Sequence, residues 1–448
     1  IQINININIL GHFTQRHLDK LLIYIFFSVA DFYAGKSIFI TGGAGFLGKV
    51  IVEKLLYTCV DVDKIYMLIR DKKGVAAKER VQQILNKPLF SRLKEKRPDD
   101  LKKIIPVRGD ITLPNLGINP EELEGLKDKI SVVIHSAAIL KFNEPLKIAM
   151  NINVEGTRNV LNLCHQMKNI KVFVYISTAY SNTLQPEIKE ELYPQPVTIE
   201  EVYKFISKHG DDAKSTVKFL SKYGIPNTYT FTKAIAENLV ADCRGHIPTI
   251  IIRPSIVTPS KSEPLVGWVD NVMGATAVLT LAAKGVLRIL YGNGDEPLDL
   301  VPVDYVTNIT LVATAKGTRY TKLLFSGSLP FPGVLFTKNK WTVRIVSCLM
   351  MTFASFVDAF QWITGKTMWL VENIHFYVRD ALKYFTTHWW VIKSDNSRAL
   401  HGTLSPCDKV FFPCDFSDID WDTYVKNYFH GVEKYLVGPN VKRKDHIN

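Results

Sequence analysis

Short apolar runs separated by longer amphipathic segments recur through the N-terminal part of the chain. Each run is rich in β-branched residues and apolar throughout, which is typical of strands buried on both faces of a sheet. The runs are Ser37–Ile40, Ile65–Ile69, Val132–Ile134, Val172–Ile176 and Thr249–Ile252. The spacing between them predicts helices, including one over residues 46–57 and one over 231–241. Strands that alternate with helices predict an α/β fold with a doubly wound parallel sheet.

A glycine turn joins the first predicted strand to the first long helix, with glycines at positions 42, 45 and 48. In such a turn the first glycine permits the bend, and the second lets the backbone approach a pyrophosphate. The third lets the helix pack closely against the strand, and the helix N-terminus presents free N–H groups to phosphates. Because a second strand follows to complete a βαβ unit, the sequence predicts a Rossmann-like dinucleotide site.

Arg70 ends the second predicted strand, where a residue is expected to contact the adenosine ribose of the cofactor. An acidic residue there would bind the 2′-hydroxyl of NAD, whereas an arginine suits the 2′-phosphate of NADP. Asp71 follows directly, so an acidic residue typical of NAD sites and an arginine typical of NADP sites stand side by side. We predict NADPH in preference to NADH.

Tyr229 and Lys233 are four residues apart, so on a helix they share one face. A phenol has a pKa near 10, and a neighbouring ammonium is expected to lower it and favour the phenolate. Such a pair can deliver a proton while the lysine holds the nicotinamide ribose. A Tyr-x-x-x-Lys spacing also arises by chance, and the alternative for Tyr229 is a packed helix aromatic.

Three further predicted strand ends carry candidate site residues. Thr178, or else Ser177, follows one strand and could hydrogen-bond a substrate carbonyl. The alternative is that these small polar residues only end the strand and have no role in the site. Asp110 is expected beside the adenine. The small residues 136–138 are expected next to the cofactor. His135 is more readily explained as a histidine with satisfied hydrogen bonds than as a catalytic group.

These motifs, in this order, resemble the extended short-chain dehydrogenase/reductases, and more closely the alcohol-forming fatty acyl-CoA reductases of the insect type. The resemblance covers about residues 29–328 and 336–438, and its C-terminal part is similar to the family's second domain. The segments that carry it are 31–48, 64–70, 135–138, 151–157, 177–182, 226–233, 253–257, 301–306, 395–398, 404–406 and 419–424.

The resemblance implies that the enzyme reduces a long-chain acyl-CoA to a primary fatty alcohol with two NADPH, through an aldehyde. By the same resemblance Tyr229 and Lys233 are the active-site pair, and Thr178 is the hydroxyl partner. Two alternatives are another extended member acting on a sugar nucleotide or steroid, and a non-catalytic NADP-binding remnant. The expected cofactor-binding residues are Thr41, Gly42, Gly45, Phe46, Leu47, Gly48, Arg70, Asp110, Ile111, Ala137, Lys233 and Pro254.

The resemblance also predicts how the chain is divided. We expect an NADP-binding reductase domain over residues 31–328 and a smaller, mainly helical C-terminal domain over 336–448. Residues 1–30 are expected to be poorly ordered or non-native, and the alternating Ile and Asn of residues 1–9 have no recognised counterpart in the family. The region 328–336 looks shortened relative to the family.

The charge of the chain limits the classes of partner that we expect it to bind. The formal charge is +12, and residues 70–108 hold 13 Lys or Arg against 5 Asp or Glu. That excess is either a solvated face or a contact for CoA phosphates or anionic lipid headgroups. Nucleic acid is not expected, because no basic platform with interleaved aromatic residues is present.

The six cysteines form no Cys-x-x-Cys, so we expect no metal site and a reducing, intracellular, cytosol-facing location. We also consider that the protein associates with the membrane of the endoplasmic reticulum or of the peroxisome. The apolar stretch 21–30 is shorter than the ~20 residues that span a bilayer. Residues 345–357 are expected to form a core helix or acyl-tunnel wall, with membrane contact as the less favoured alternative.

Overall fold

The protein is described by a computed structural model over residues 28–283, 287, 289–293, 296, 298–317, 320–325, 327–329, 335–339, 341–342, 345–346 and 382–437. The predicted tunnel wall at 345–357 lies outside the described residues except for its first two positions. The N-terminal extension lies outside them up to residue 27.

Buried apolar runs form most of the strands, as the sequence predicts. In the described part of the chain the strands are β1 Ser37–Thr41, β2 Lys64–Ile69, β3 Ile104–Arg108, β4 Ile130–His135, β5 Val172–Ile176, β6 Glu187–Ile188, β7 Thr249–Pro254, β8 Ile256–Thr258, β9 Ile289–Tyr291, β10 Leu298–Pro302, β11 Tyr320–Phe325, β12 Gly327–Leu329, β13 Leu335–Thr337 and β14 Val391–Ile392.

The α-helices of the same described residues connect these strands. They include α1 Val29–Tyr33, α2 Phe46–Thr58, α3 Ala77–Leu85, α4 Ser91–Lys96, α5 Pro120–Lys129, α6 Leu146–Met150, α7 Gly156–Gln166, α8 Ile199–His209, α9 Ala213–Lys222, α10 Thr228–Cys243, α11 Gly274–Ala283, α12 Val303–Lys316, α13 Asp395–Gly402, α14 Pro406–Phe411 and α15 Trp421–Val432. Residues 382–387 are also helical. Short 3-10 turns lie at Pro88–Phe90, Pro98–Lys103, Pro114–Gly117, Ala179–Asn182 and Phe416–Asp418, and π-helical turns at Asn151–Glu155 and Glu433–Val437.

The main sheet has the strand order β11-β7-β5-β4-β1-β2-β3, and every neighbouring pair is parallel. This is a doubly wound order, so the predicted fold class is confirmed. The order reverses between β1 and β4, and ligands of such sheets bind at that switch point, outside the carboxyl ends of the strands. The glycine turn follows β1 and residues 136–138 follow β4, so the topology brings two predicted cofactor segments together.

Helices cover both faces of the sheet. Along β1, Ile38 and Ile40 lie in one apolar cluster, and Phe39 lies in the cluster on the opposite face. The first cluster also contains Leu404 and Tyr424 from the C-terminal half of the chain. The described C-terminal residues therefore pack into the core of the reductase half, while the exact domain bounds stay a prediction.

Helix α10, which carries Tyr229 and Lys233, begins three residues earlier than predicted. Asn227 caps it, because its side-chain oxygen accepts a hydrogen bond from the Thr230 N–H at 2.9 Å. Tyr229 is therefore in the first turn of the helix rather than before it. That position puts its side chain at the carboxyl edge of the sheet.

Candidate functional site

A cavity of about 670 Å³ opens at the carboxyl ends of the sheet strands. Every residue predicted for catalysis or cofactor binding lines it, from Thr41 in the glycine turn to Pro254 at the end of β7. The sequence positions of these residues are far apart, and the parallel sheet brings them together because all their strands end at one edge. The predicted roles remain hypotheses, whereas their proximity is a property of the fold.

The glycine turn has the geometry that a pyrophosphate cradle requires. Gly42 has a φ of +73°, which side chains of L-residues rarely adopt. A Cβ at Gly48 would lie 2.3 Å from the Gly42 carbonyl oxygen, so helix α2 packs directly on the turn. Gly45 stands immediately before α2, whose first N–H groups are directed at the cavity end of the turn. The cradle therefore fits a dinucleotide phosphate.

Behind this cradle His135 is fully buried and bonded at both ring nitrogens. Its Nδ1 lies 2.6 Å from the Thr41 hydroxyl, and its Nε2 lies 3.0 Å from the Thr157 hydroxyl. Because Thr157 donates to the Asn153 carbonyl, it accepts from Nε2–H, which assigns the neutral tautomer. Burial, with the nearby Lys233, lowers the pKa of His135 to about 3. This confirms the prediction that the hydrogen bonds of His135 are satisfied within the fold.

Basic side chains gather at the other end of the cavity, beyond β2. Arg70 is largely exposed and lies 3.2 Å from Asp110, and Lys72 and Arg80 also line the cavity. Arg80 donates to the backbone carbonyl of Arg70, which fixes the Arg80 side chain at this edge. Asp71 pairs instead with Arg108 at 2.7 Å. The contact between Asp71 and Arg108 leaves the cationic side chains facing the expected 2′-phosphate position.

The carboxylate of Asp110 is held in place by its own loop. Burial alone would raise its pKa, but hydrogen bonds from the Thr112 N–H and hydroxyl, together with the Arg70 guanidinium, lower the pKa below its usual value. Asp110 therefore stays ionised at neutral pH. An ionised carboxylate at this position can accept a hydrogen bond from adenosine, in agreement with the predicted role.

Replacing Arg70 with alanine is expected to reduce the preference for NADPH over NADH by about tenfold or more, because charge-assisted phosphate contacts contribute 1.5–3 kcal/mol (roughly 10- to 150-fold). The measurement is kcat/KM for both cofactors. Lys73→Ala is the control, because Lys73 is a neighbouring cation that does not line the cavity. An unchanged ratio in Arg70→Ala would assign the phosphate to Lys72 or Arg80 instead.

Three groups converge near the middle of the cavity. The Tyr229 side chain is half-buried and lines the cavity together with Thr178, whose hydroxyl lies 3.5 Å from the Pro254 carbonyl. One turn along α10, the Lys233 ammonium donates to the Ile176 carbonyl at 2.5 Å. It also lies 4.1 Å from the centre of the Tyr175 ring. The predicted Tyr–Lys–Thr constellation therefore exists as a spatial cluster.

The protonation behaviour differs from the expectation that the lysine would lower the pKa of the phenol. Burial raises the pKa of Tyr229 above its usual range, and the hydrogen bond from Thr178 opposes this only in part. Burial lowers the pKa of Lys233 to about 7. Both shifts have one cause, the loss of water around a charged form, and the spacing along the helix carries no information about it.

Two buried hydroxyls beside this cluster have no hydrogen-bond partner within the described part of the chain. They belong to Ser177 after β5 and Ser255 after β7, and both residues line the cavity. A buried hydroxyl without a partner costs free energy, which a bound ligand with polar groups would recover. Together with the glycine cradle they fit a nicotinamide dinucleotide, whose riboses and carboxamide offer such groups. Sequence reasoning named Ser177 only as an alternative and missed Ser255.

The structure also adds aromatic residues that the sequence did not assign to the site. Phe142, Tyr180 and Phe385 line the cavity, and Trp389 lies at its rim. For Phe385 and Trp389, packing against the reductase half places the side chains at the cavity.

Known proteins share both parts of this architecture. The family described as "Male sterility protein", in its NAD-binding form, matches residues 40–310, and a second "Male sterility protein" family matches 349–438. Fatty acyl-CoA reductase 1 of Xenopus laevis is 33% identical over 459 residues, covering 94% of this chain and 89% of the relative. This chain belongs to the fatty acyl-CoA reductase family. The predicted recognition and the nicotinamide cofactor are thereby confirmed.

A second relative supports the same family, and a solved structure supports the same fold. Fatty acyl-CoA reductase wat of Drosophila melanogaster is 33% identical over 441 residues, covering 91% of this chain and 85% of the relative. The terminal R domain of the myxalamid PKS-NRPS pathway has a TM-score of 0.63 at 20% identity, covering 90% of this chain and 92% of that chain. That likeness shows the shared Rossmann-like fold.

Part of the cationic excess of the basic segment 70–108 is paired with carboxylates outside the segment. Arg92 bonds to the buried carboxylate of Glu53 at 2.6 Å, and Lys87 bonds to Asp270 at 2.7 Å. The contact between Arg92 and Glu53 ties the segment to α2, whereas Arg70, Lys72 and Arg80 line the cavity. Among the described residues, no helix combines the length and the hydrophobicity needed to cross a bilayer.

Proposed function

We propose that the protein reduces long-chain acyl-CoA to a primary fatty alcohol, consuming two NADPH and passing through an aldehyde. The carrying observation is that Tyr229, Thr178 and Lys233 line the same cavity as the glycine cradle. The named relatives support the acyl-CoA substrate, because they are fatty acyl-CoA reductases. NADPH supplies the hydride when it is bound.

The hydroxyls of Tyr229 and Thr178 act on the carbonyl oxygen of the substrate. Two donors at one oxygen stabilise the negative charge that develops there, as in an oxyanion hole. Because burial raises the pKa of Tyr229, the phenol is protonated at neutral pH and carries the proton that an alkoxide requires. The raised pKa therefore suits a proton donor, although it differs from the expected phenolate.

Lys233 takes part in the same proton-transfer step. With a pKa of about 7, its amine exchanges protons at neutral pH, and its hydrogen bond to Ile176 holds it at the end of β5. In that position Lys233 can bind the nicotinamide ribose and return a proton toward the phenol. Its buried neighbour Glu237 favours the charged form, because it raises the pKa against the effect of burial.

The alternatives are less well supported. A sugar-nucleotide enzyme shares the fold, as the UDP-glucuronic acid 4-epimerase of Bacillus cereus does at 16% identity and a TM-score of 0.51. The second "Male sterility protein" match and the aromatic side chains in the cavity favour an apolar substrate instead. A non-catalytic remnant is disfavoured because Tyr229, Lys233 and Thr178 are all present and in place.

The deciding experiment is NADPH oxidation with palmitoyl-CoA, followed by extraction and identification of the products. Hexadecanol with a stoichiometry of two NADPH supports the proposal. Accumulation of hexadecanal alone would limit the enzyme to one reduction, and binding of NADPH without turnover would indicate the remnant. Membrane contact and cellular location stay predictions.

One active site is expected to perform both reductions, because one Tyr-x-x-x-Lys cluster lines the cavity. Thr178→Val should therefore lower kcat for palmitoyl-CoA and for hexadecanal by similar factors, about 100- to 1,000-fold for a lost hydroxyl at a developing charge. Ser177→Ala is the matched comparison and should lose less, since Thr178 and not Ser177 affects the pKa of Tyr229. A larger loss in Ser177→Ala would reassign the hydroxyl role, and loss of only one of the two activities would require a second site.

A further inference from the structure

Phe142 fixes one side of the cavity beside the Tyr229 phenol. The two rings stack with their centroids 5.8 Å apart and an angle of 27° between their planes. The Phe142 carbonyl accepts hydrogen bonds from the N–H and the hydroxyl of Thr228, at 3.3 and 3.1 Å. Because Thr228 directly precedes Tyr229, the stacked ring is tied to the start of the same helix. It cannot move far from the phenol without breaking these bonds.

Phe385, from the C-terminal half, extends this surface. Its ring centroid lies 5.3 Å from that of Phe142 and 5.2 Å from that of Tyr180, in an edge-on contact with the latter. These residues all line the cavity. We call Phe142, Tyr180 and Phe385 the aromatic wall. It is an apolar surface, built from two distant parts of the chain, next to the proposed reaction centre.

The segment that carries Phe385 is anchored to the reductase half along strand β6. The Trp390 indole N–H donates to the Thr183 carbonyl at 3.1 Å, and the Val391 N–H donates to the Pro186 carbonyl at 3.0 Å. Farther along, the Ser397 hydroxyl donates to the Glu190 carboxylate at 2.7 Å. These bonds fix the backbone that follows Phe385, so the wall has a defined position.

We infer that the aromatic wall, and Phe385 in particular, selects unbranched acyl chains. The inference rests on the proposed function. With the thioester oxygen at Tyr229 and Thr178, the first carbons of the acyl chain would lie against Phe142 and Phe385. A wall of rings that pack against one another has little freedom to move aside, so it accepts a straight methylene chain, whereas a methyl branch next to the carbonyl would collide with it. The C-terminal half thus contributes a specificity residue to the active site of the reductase half.

The test compares kcat/KM for palmitoyl-CoA and for 2-methylpalmitoyl-CoA in wild type and in Phe385→Ala. The ratio of branched to straight substrate is expected to rise about tenfold or more, as one methyl group in an apolar pocket typically contributes 10- to 200-fold. Phe385→Leu keeps an apolar side chain of similar reach and should retain most activity on the straight chain with a smaller rise in the ratio. Val410→Ala, at a side chain that is 76% exposed, is the unaffected control.

NADPH affinity separates a specificity role from a structural one. Phe385→Ala should bind NADPH as wild type does, because the glycine cradle and Arg70 are unchanged. A ratio that changes by less than about twofold in both Phe385 variants, with NADPH binding intact, would overturn the inference. Should Phe385→Ala fail to fold, the ratio in Phe385→Leu decides the question by the same criterion. Absence of palmitoyl-CoA reduction in wild type would instead refute the proposed function itself.

Discussion

Tyr229→Phe is expected to lower kcat for palmitoyl-CoA by at least about 100-fold, because general acid catalysis typically contributes 10²- to 10⁴-fold. Only the hydroxyl is removed, and the phenyl ring keeps its stacking on Phe142. The phenol is the proposed proton donor, and its raised pKa keeps it protonated over the whole neutral range. The loss should therefore not be rescued by lowering the pH from 8 to 6.

The control for this variant is cofactor binding. NADPH should bind Tyr229→Phe nearly as tightly as it binds wild type, because the cradle and the basic end of the cavity are untouched. Tyr203→Phe removes a different phenol, one that donates to Glu155 at the surface, and should leave kcat unchanged. If Tyr229→Phe kept more than about a tenth of wild-type kcat, the proposed role of the phenol would be wrong.

Gly48→Ala is expected to weaken NADPH binding by about tenfold to 100-fold, the equivalent of the 1–3 kcal/mol that overpacking usually costs. The added Cβ would lie 2.3 Å from the Gly42 carbonyl oxygen and 2.7 Å from the Gly43 Cα. Both are backbone atoms, so helix α2 must move away from the turn. That shift displaces the N–H groups that face the pyrophosphate.

Gly125→Ala is the matched control, because it also replaces a helical glycine, in α5, and its Cβ would meet nothing within 4 Å. It should leave NADPH affinity unchanged. Isothermal titration with NADPH measures both variants, and a thermal melt shows whether each is folded. Wild-type affinity in a folded Gly48→Ala would mean that the close approach of α2 to the turn is not needed for cofactor binding.

The sequence by itself determined the elements whose signals are local. Continuous apolar runs predict buried parallel strands, and the observed β1, β2, β5 and β7 begin and end within two residues of the predicted bounds. The glycine spacing predicts the cradle, since Gly42 has a φ of +73° and a Cβ on Gly48 would collide with Gly42 and Gly43. The Tyr229–Lys233 spacing predicts a shared helix face. Each of these follows from backbone periodicity or from sterics between residues close in the chain.

Long-range packing decided what the sequence left open. Helix α2 buries Lys49, Glu53 and Lys54, which a predicted apolar face does not include. Lys54 is paired with Glu263, which lies 209 residues away, and no local sequence pattern predicts such a partner. Burying charge is costly unless it is paired, so the fold of the distant segment determines where these residues can lie.

The active site shows the same division. Its residue types were predictable because proton transfer and phosphate binding require particular side chains at strand ends. The protonation states were not, because the pKa values of Tyr229 and Lys233 follow from burial by the surrounding elements. The aromatic wall was not predictable either. Phe385 borders the cavity only because Trp390 and Val391 pair with the loop and strand after Tyr180, and pairing between distant segments is decided by the tertiary structure.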